Sequence, residues 1–189
     1  VGTWVKGLWQ PQRIAVITDS NVAPLYGQLV IDALIQEGFA AKLLVVPAGE
    51  KSKSLEQATI LYDRLAELGL TRSDGLIALG GGVIGDLAGF VASTYMRGIH
   101  ILQIPTTLLA QVDSSIGGKT AVNTKNAKNL VGTFAQPAGV LIDPKLLRTL
   151  PLDRVQEGIA EIIKSAAIAD EQLWQVLSEL TDEAALLDR

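Results

Sequence analysis

The chain has 189 residues, a formal net charge of −4, no cysteine and one histidine. So slight a charge excludes a general nucleic-acid binder, which carries a strong basic excess. Without cysteine there is no disulfide, thiol nucleophile or cysteine metal site, and the single histidine, His100, rules out any site needing two.

Residues 13–19 (RIAVITD) read as a first strand that ends in the polar turn Asp19-Ser20-Asn21. A helix is expected over 25–37, stopped by Gly38 as a residue beyond a helix end. Residues 41–46 (AKLLVV) form a second strand, and 47–53 a loop, with Ser54 placed to cap the next helix. Leu55, Ile60, Leu61 and Leu65 supply the apolar face of that helix, and Gly69 ends it. An apolar run at 75–79 (GLIAL), the glycine-rich stretch 80–86 (GGGVIGD) and a helix through 87–93 come next. Strand, glycine turn and helix in that order present free backbone N–H groups to an anion, or else make a tight turn with no ligand. Further strands are expected at 99–104 and 139–143, a short helix at 108–113, and a polar glycine-containing loop at 114–129.

Strands alternating with helices predict an α/β fold, a Rossmann-like doubly wound sheet that is mainly parallel. Such sheets bind ligands beyond the carboxyl ends of their strands, and here those ends carry Asp19, Glu50, the glycine turn and Thr106-Thr107. After Pro151 the pattern becomes wholly helical, over 153–170, 171–180 and from Thr181 onward, so a boundary is placed at 1–151 and 152–189. Two helices are too few for a separate core, and the expectation is of a chain cut short. With no apolar run long enough to cross a membrane and no signal peptide at the start, a cytoplasmic protein is expected.

Asp113, Lys119, Lys125, Lys128 and Asn129 lie close together among small residues. They suit a phosphorylated polyol or acid, or else form an ordinary exposed loop. Arg97 is either a phosphate fork or a helix-end arginine, and Asp86 either a ligand group or a partner of the helix dipole. On the helix from Asp153, Val155, Ile159, Ile162 and Ala166 share one face; Asp153, Glu157, Glu161 and Lys164 share the other, as on a solvated face with spaced ion pairs. His100 is expected to be packed within its apolar strand. Trp4, Trp9 and Trp174 form no stacking pattern.

Residues 80–86, 104–115 (IPTTLLAQVDSS), 117–123 (GGKTAVN) and 158–164 (GIAEIIK) together resemble the 3-dehydroquinate synthases, sugar-phosphate cyclases. Lys128-Asn129, Gln136-Pro137 and Thr149-Leu150-Pro151 fit as well, and the likeness runs from about Ile14 to Asp170. It implies a lyase of the shikimate pathway that turns 3-deoxy-D-arabino-heptulosonate 7-phosphate into 3-dehydroquinate and phosphate. NAD would serve as a recycled oxidant and a divalent metal, usually zinc, would polarise the sugar oxygens. Residues 1–151 would be the NAD-binding domain and 152–189 the first helices of a metal and substrate domain.

The same resemblance implies that Asp19, Glu50 and Lys53 bind the adenosine end of NAD, and that Gly81, Gly82, Val83, Gly85 and Asp86 line its pyrophosphate and ribose. Thr106, Thr107, Lys119, Lys128, Leu146 and Thr149 would complete the cofactor site. Asp113, Lys119, Asn129 and Lys164 would face substrate, with Arg97 reaching the phosphate from the partner in a homodimer. Glu161 matches the carboxylate metal ligand. The histidine ligands would lie beyond Arg189, so the chain alone is expected to be catalytically silent, and its sheet to lack an edge strand before Trp4. The alternatives are a 2-deoxy-scyllo-inosose or valiolone-type cyclase, an iron- or zinc-dependent polyol dehydrogenase, and a non-catalytic nucleotide-binding half-protein.

Overall fold

The computed structural model describes residues 1–179; the helix expected from Thr181 and the last residue of the one before it lie outside the described residues. Helix α1 (Gly2–Leu8) leads into strand β1 (Arg13–Asp19), and a π-helical turn (Ala23–Gly27) runs into helix α2 (Gln28–Gln36). Then follow β2 (Ala40–Val46), α3 (Leu55–Glu67), β3 (Gly75–Gly80), α4 (Gly82–Thr94) and β4 (His100–Pro105). After a helical turn (Ala110–Ser114) come β5 (Lys119–Val122), β6 (Val131–Phe134), β7 (Gly139–Val140), a 3-10 segment (Pro144–Thr149), α5 (Leu152–Ala169) and α6 (Glu171–Ser178).

Among the described residues, β2-β1-β3-β4-β7 form a parallel sheet. Successive side chains of a strand alternate between faces. Ala15 and Ile17 of β1 therefore join Leu61 and Leu65 of α3 and Leu87 and Val91 of α4, while Ile14 and Val16 join Val5 of α1 and Leu34 of α2. Helices thus cover both faces, the doubly wound α/β architecture. The chain leaves β1 in one direction, to β2, and returns to the other side of β1 for β3. The strand order reverses between β1 and β3, so the loops after Asp19 and Gly80 diverge and leave a crevice.

Four expectations are corrected. In α3, Leu61 and Leu65 are buried, but Leu55 and Ile60 are each 47% exposed; the 3.6-residue period puts Ala58 inward instead. His100 is exposed, because β4 only begins there, and its ring lies 5.8 Å from that of Trp9. The loop read at 114–129 contains β5, which pairs antiparallel with β6 and lies against α4. The strand expected over 139–143 shrinks to Gly139–Val140. The N-terminal region before β1 is helical in α1, whose Gly2 and Val5 are buried. No helix of the described residues is long and apolar enough to cross a membrane.

Beyond Pro151, α5 docks through Val155, which joins Leu108 and Leu147 in a small core. Gly158 makes the contact possible, since a Cβ there would lie 2.5 Å from Leu108 Cγ and 2.7 Å from the Leu109 backbone nitrogen.

At the opposite end of the sheet the buried carboxylate of Asp74 accepts hydrogen bonds from Arg13 N–H, Thr71 N–H and the Thr71 hydroxyl, tying the starts of β1 and β3 together. Burial alone would raise the Asp74 carboxyl, but these bonds and the Arg13 charge together hold it below its ordinary 3.8. A lowered folded value stabilises the fold above 3.8, and that contribution is lost as pH falls through the folded value. Asp74→Asn is accordingly expected to lose roughly 1–3 kcal/mol at neutral pH. In urea unfolding at a series of pH values the gap to the unsubstituted chain should narrow below 3.8; a gap that stays constant contradicts this account.

Candidate functional site

The crevice at the strand-order reversal is a cavity of about 710 Å³. Its floor is the turn between β3 and α4. A Cβ on Gly81 would stand 2.9 Å from Thr107 Cγ2, and one on Gly82 would stand 3.0 Å from Ser114 Oγ, so the loops after β3 and β4 approach this closely only across glycine. The first N–H groups of a helix have no partner within it, and those of α4 open here with no acidic residue in the first turn. Val83, Thr106 and Thr107 also line the cavity.

One turn into α4, Asp86 meets Lys53 at 2.6 Å. Lys53 is only 5% exposed and comes from the end of the 3-10 turn Glu50–Ser52 after β2. Burial pushes the Asp86 carboxyl above its ordinary value, and the hydrogen bond and charge of Lys53 draw it back only in part. Glu50 lies 3.9 Å from Lys53 and accepts a 2.7 Å hydrogen bond from Asn123, which follows directly on β5. On the far wall Asp19 Oδ1 accepts from Asn21 N–H and Val22 N–H, closing the turn after β1. The Tyr26 hydroxyl, 2.7 Å from Thr149 Oγ1 and 3.2 Å from the Leu146 carbonyl, ties the 3-10 segment to the rim. Arg154 and Glu157 of α5, paired at 2.6 Å, stand at the mouth.

A second cavity of about 490 Å³ adjoins the first, and Asp86 and Ser114 line both. Asp113, Lys119 and Asn129 line it as well. The Ser114 hydroxyl is buried without a hydrogen-bond partner. Phe134, 90% exposed, and Leu130 form the open side.

Ten of the cofactor residues implied by resemblance, Asp19, Glu50, Lys53, Gly81, Gly82, Val83, Asp86, Thr106, Thr107 and Thr149, thus share one cavity, and Asp113, Lys119 and Asn129 the other. Gly85 lines neither; its Cα faces Gln103 on the sheet. Leu146 contributes its carbonyl to Tyr26, and Lys128 is exposed on the turn before Asn129. Arg97 stands exposed past the far end of α4, about 20 Å from the glycine turn at ~1.5 Å per residue over 13 residues. Glu161 and Lys164 form an ion pair on α5, and that carboxylate, with a smaller contribution from Asp113, holds the lysine above its usual range. Among the described residues no three His, Asp or Glu side chains converge, so they offer a divalent metal no full set of ligands. Sequence reasoning did not single out Tyr26, Ser114, Asn123 or Arg154. Neither periodicity nor composition marks them, because their places at the cavities follow from how distant segments pack.

The family model described as 3-dehydroquinate synthase N-terminal matches residues 43–157. The chain belongs to this family. It is 72% identical over 187 residues to the 3-dehydroquinate synthase of Enterococcus faecalis (strain ATCC 47077 / OG1RF), which covers 99% of this chain and 52% of that protein. The chain therefore spans about half the length of the curated relatives it matches. Its fold is similar to that of 2-epi-5-epi-valiolone synthase from Streptomyces hygroscopicus subsp. jinggangensis 5008, solved with NAD+ and Zn2+ bound. That match has a TM-score of 0.86 and 34% identity over 93% of this chain and 49% of that one. A 2-deoxy-scyllo-inosose synthase complexed with carbaglucose-6-phosphate, NAD+ and Co2+ matches with a TM-score of 0.79 and 33% identity over 82% and 43%.

The Lys53–Asp86 pair makes a direct prediction. Removing one partner strands a buried charge, so Lys53→Met is expected to destabilise the chain by roughly 3 kcal/mol. Adding Asp86→Asn should restore part of that loss. A double variant as unstable as the sum of the two single ones, in urea unfolding, would show that the two groups are not coupled.

Proposed function

We propose that the chain is the cofactor-binding half of a 3-dehydroquinate synthase, with one wall of the substrate site. The observation that carries this reading is the pair of adjoining cavities that share Asp86 and Ser114. One is built for a dinucleotide, the other for a small phosphorylated acid. The 72% identity to a 3-dehydroquinate synthase, against 33–34% to the other cyclases, favours this member of the group. The NAD+ and sugar-phosphate analogue held by those cyclases support the division between the two cavities.

The residues fit the dinucleotide. Gly81, Gly82 and Val83 with the start of α4 take the pyrophosphate, because only glycine leaves room there and the helix end favours anions. Asp19, Glu50 and Lys53 take the adenosine end; Thr106, Thr107, Lys128, Leu146 and Thr149 complete its walls. When bound, NAD supplies a hydride acceptor for transient oxidation of an alcohol carbon. Asp113, Lys119, Asn129 and Lys164 hold the sugar phosphate, the two ammonium groups matching its phosphate and carboxylate charges. Lys164, raised by Glu161, stays cationic through the neutral range. Glu161 is one ligand of a divalent metal whose other ligands the described residues do not provide, and no step is assigned to a metal here. Arg97 acts on the substrate of a second copy in a homodimer. Residues 1–151 form the cofactor unit, residues 152–189 belong to the metal and substrate unit, and the reading places the protein in the cytoplasm.

Titration calorimetry with NAD tests the reading. The chain should bind NAD, and Gly82→Val, whose side chain fills the space beside Ser114, should weaken binding at least about tenfold. An unsubstituted, folded chain that takes up no NAD would sink it.

A further inference from the structure

Asn123 follows directly on β5, the first strand of the β5–β6 ribbon, and carries neither a charge nor a place in either cavity lining. Its bonds nonetheless reach both. The side-chain Nδ2 donates to Glu50 Oε1 at 2.7 Å, and Oδ1 accepts from the Asn129 N–H at 2.9 Å. The backbone N–H donates to the Lys53 carbonyl at 2.8 Å, and Asn123 also bridges to Ser54. The partners fix the amide's orientation, because a carboxylate only accepts and a peptide N–H only donates. Glu50 belongs to the first cavity, Asn129 to the second.

We propose that Asn123 is a positioning residue that couples the two cavities, carrying the state of the Glu50 carboxylate to Asn129. The amide is planar, so a rotation that lengthens one of its side-chain bonds displaces the other. The same oxygen, Glu50 Oε1, has Lys53 no nearer than 3.9 Å, and that lysine is itself engaged by Asp86 at 2.6 Å, so Asn123 Nδ2 is the nearer donor. A hydroxyl donor that takes the Glu50 carboxylate therefore competes with Asn123 Nδ2 and frees the amide to turn. Asn129 is poised to respond. Its backbone sits in the left-handed region at φ 56°, which asparagine tolerates without favouring it, and its N–H is held by Asn123. Occupation of the first cavity thus adjusts a ligand group of the second, a two-site coupling through one rigid side chain. The link itself is ligand-free; its use in ordering cofactor before substrate rests on the cofactor reading above.

The backbone amide resonance of Asn129, followed in the full chain by NMR, reports on it. Glu50→Ala is expected to shift that resonance in the otherwise unsubstituted chain and to leave it unmoved in an Asn123→Ala background. Asn123→Asp keeps an acceptor for the Asn129 N–H but loses the donor to Glu50. It should restore protection of that amide from hydrogen exchange without restoring its sensitivity to Glu50, a separation that a purely structural tie would not produce. It also stands in should Asn123→Ala fail to fold. A shift of Asn129 on Glu50→Ala that is the same in both backgrounds, or absent in both, overturns the proposal. NAD titration then separates the two readings. If NAD shifts Asn129 in the unsubstituted chain and not in Asn123→Asp, the coupling serves the cofactor. If NAD moves no resonance while the Glu50 effect persists, the coupling stands and the cofactor reading fails.

Discussion

Lys53 and Asp86 meet at the crevice, one almost wholly buried and the other largely so, and each replaces most closely the hydration the other loses. Two segments are thereby pinned that have no strand contact with each other. The turn after β2 brings Lys53, and the second turn of α4 brings Asp86. With Lys53 so held, the β5–β6 ribbon is anchored to this loop through Asn123, whose backbone N–H donates to the Lys53 carbonyl and whose side chain donates to Glu50. The ribbon that walls the second cavity rests on α4 and is tied at Asn123 to the loop that carries Lys53, so the charge pair and the ribbon share one support.

The same pair explains how a carboxylate is tolerated close to an anion-binding helix end. The first turn of α4 holds no acid, and Gly81, Gly82 and Val83 at its start line the crevice. Asp86 stands one turn further in, where its charge is matched by Lys53 rather than spent on the helix dipole. The glycine turn keeps its affinity for an anion while Asp86 remains available at the junction of the cavities. Closeness does the rest. Any side chain on Gly81 or Gly82 would push back Thr107 or Ser114, and with them the loop after β4 that walls both spaces.

Much of this was legible in the residues, for identifiable reasons. β1 and β3 are buried on both faces and are written as unbroken apolar runs, so their positions and the parallel sheet follow directly. Gly38 and Gly69 do adopt the left-handed backbone expected of residues that end helices. The ribbon was not legible. β5 is four residues long, lies between a Gly-Gly turn and a polar loop, and owes its stability to α4 rather than to its own pattern. Ala58 has the helical spacing to Leu61 and Leu65 that Ile60 lacks, but a small residue carries little hydrophobic signal and the larger Ile60 reads as inward in its place. His100 was misplaced by one strand end. Of the site residues that escaped notice, Tyr26 and Asn123 bond to distant partners, whereas Ser114 and Arg154 reach the cavities only through the placement of their helical segments. Tyr26 and Thr149 are 123 positions apart.

Helix α5 shows how one element serves both spaces. Its Arg154–Glu157 pair stands at the mouth of the first cavity. Glu161 and Lys164 follow seven residues later, two turns or about 10 Å along the axis. There Asp113 of the second cavity adds to the charge that Lys164 feels. The face read as a solvated stripe of ion pairs is one, with Asp153, Glu157 and Lys164 exposed and pairs at Arg154–Glu157 and Glu161–Lys164; of these charged residues Arg154 and Glu157 line the first cavity. Its register depends on Gly158, the point at which α5 touches the backbone at Leu109. A larger residue there would lift the helix from the segment that carries Asp113 and Ser114, and the local i,i+3 charge pairs would survive while the contact with that segment was lost.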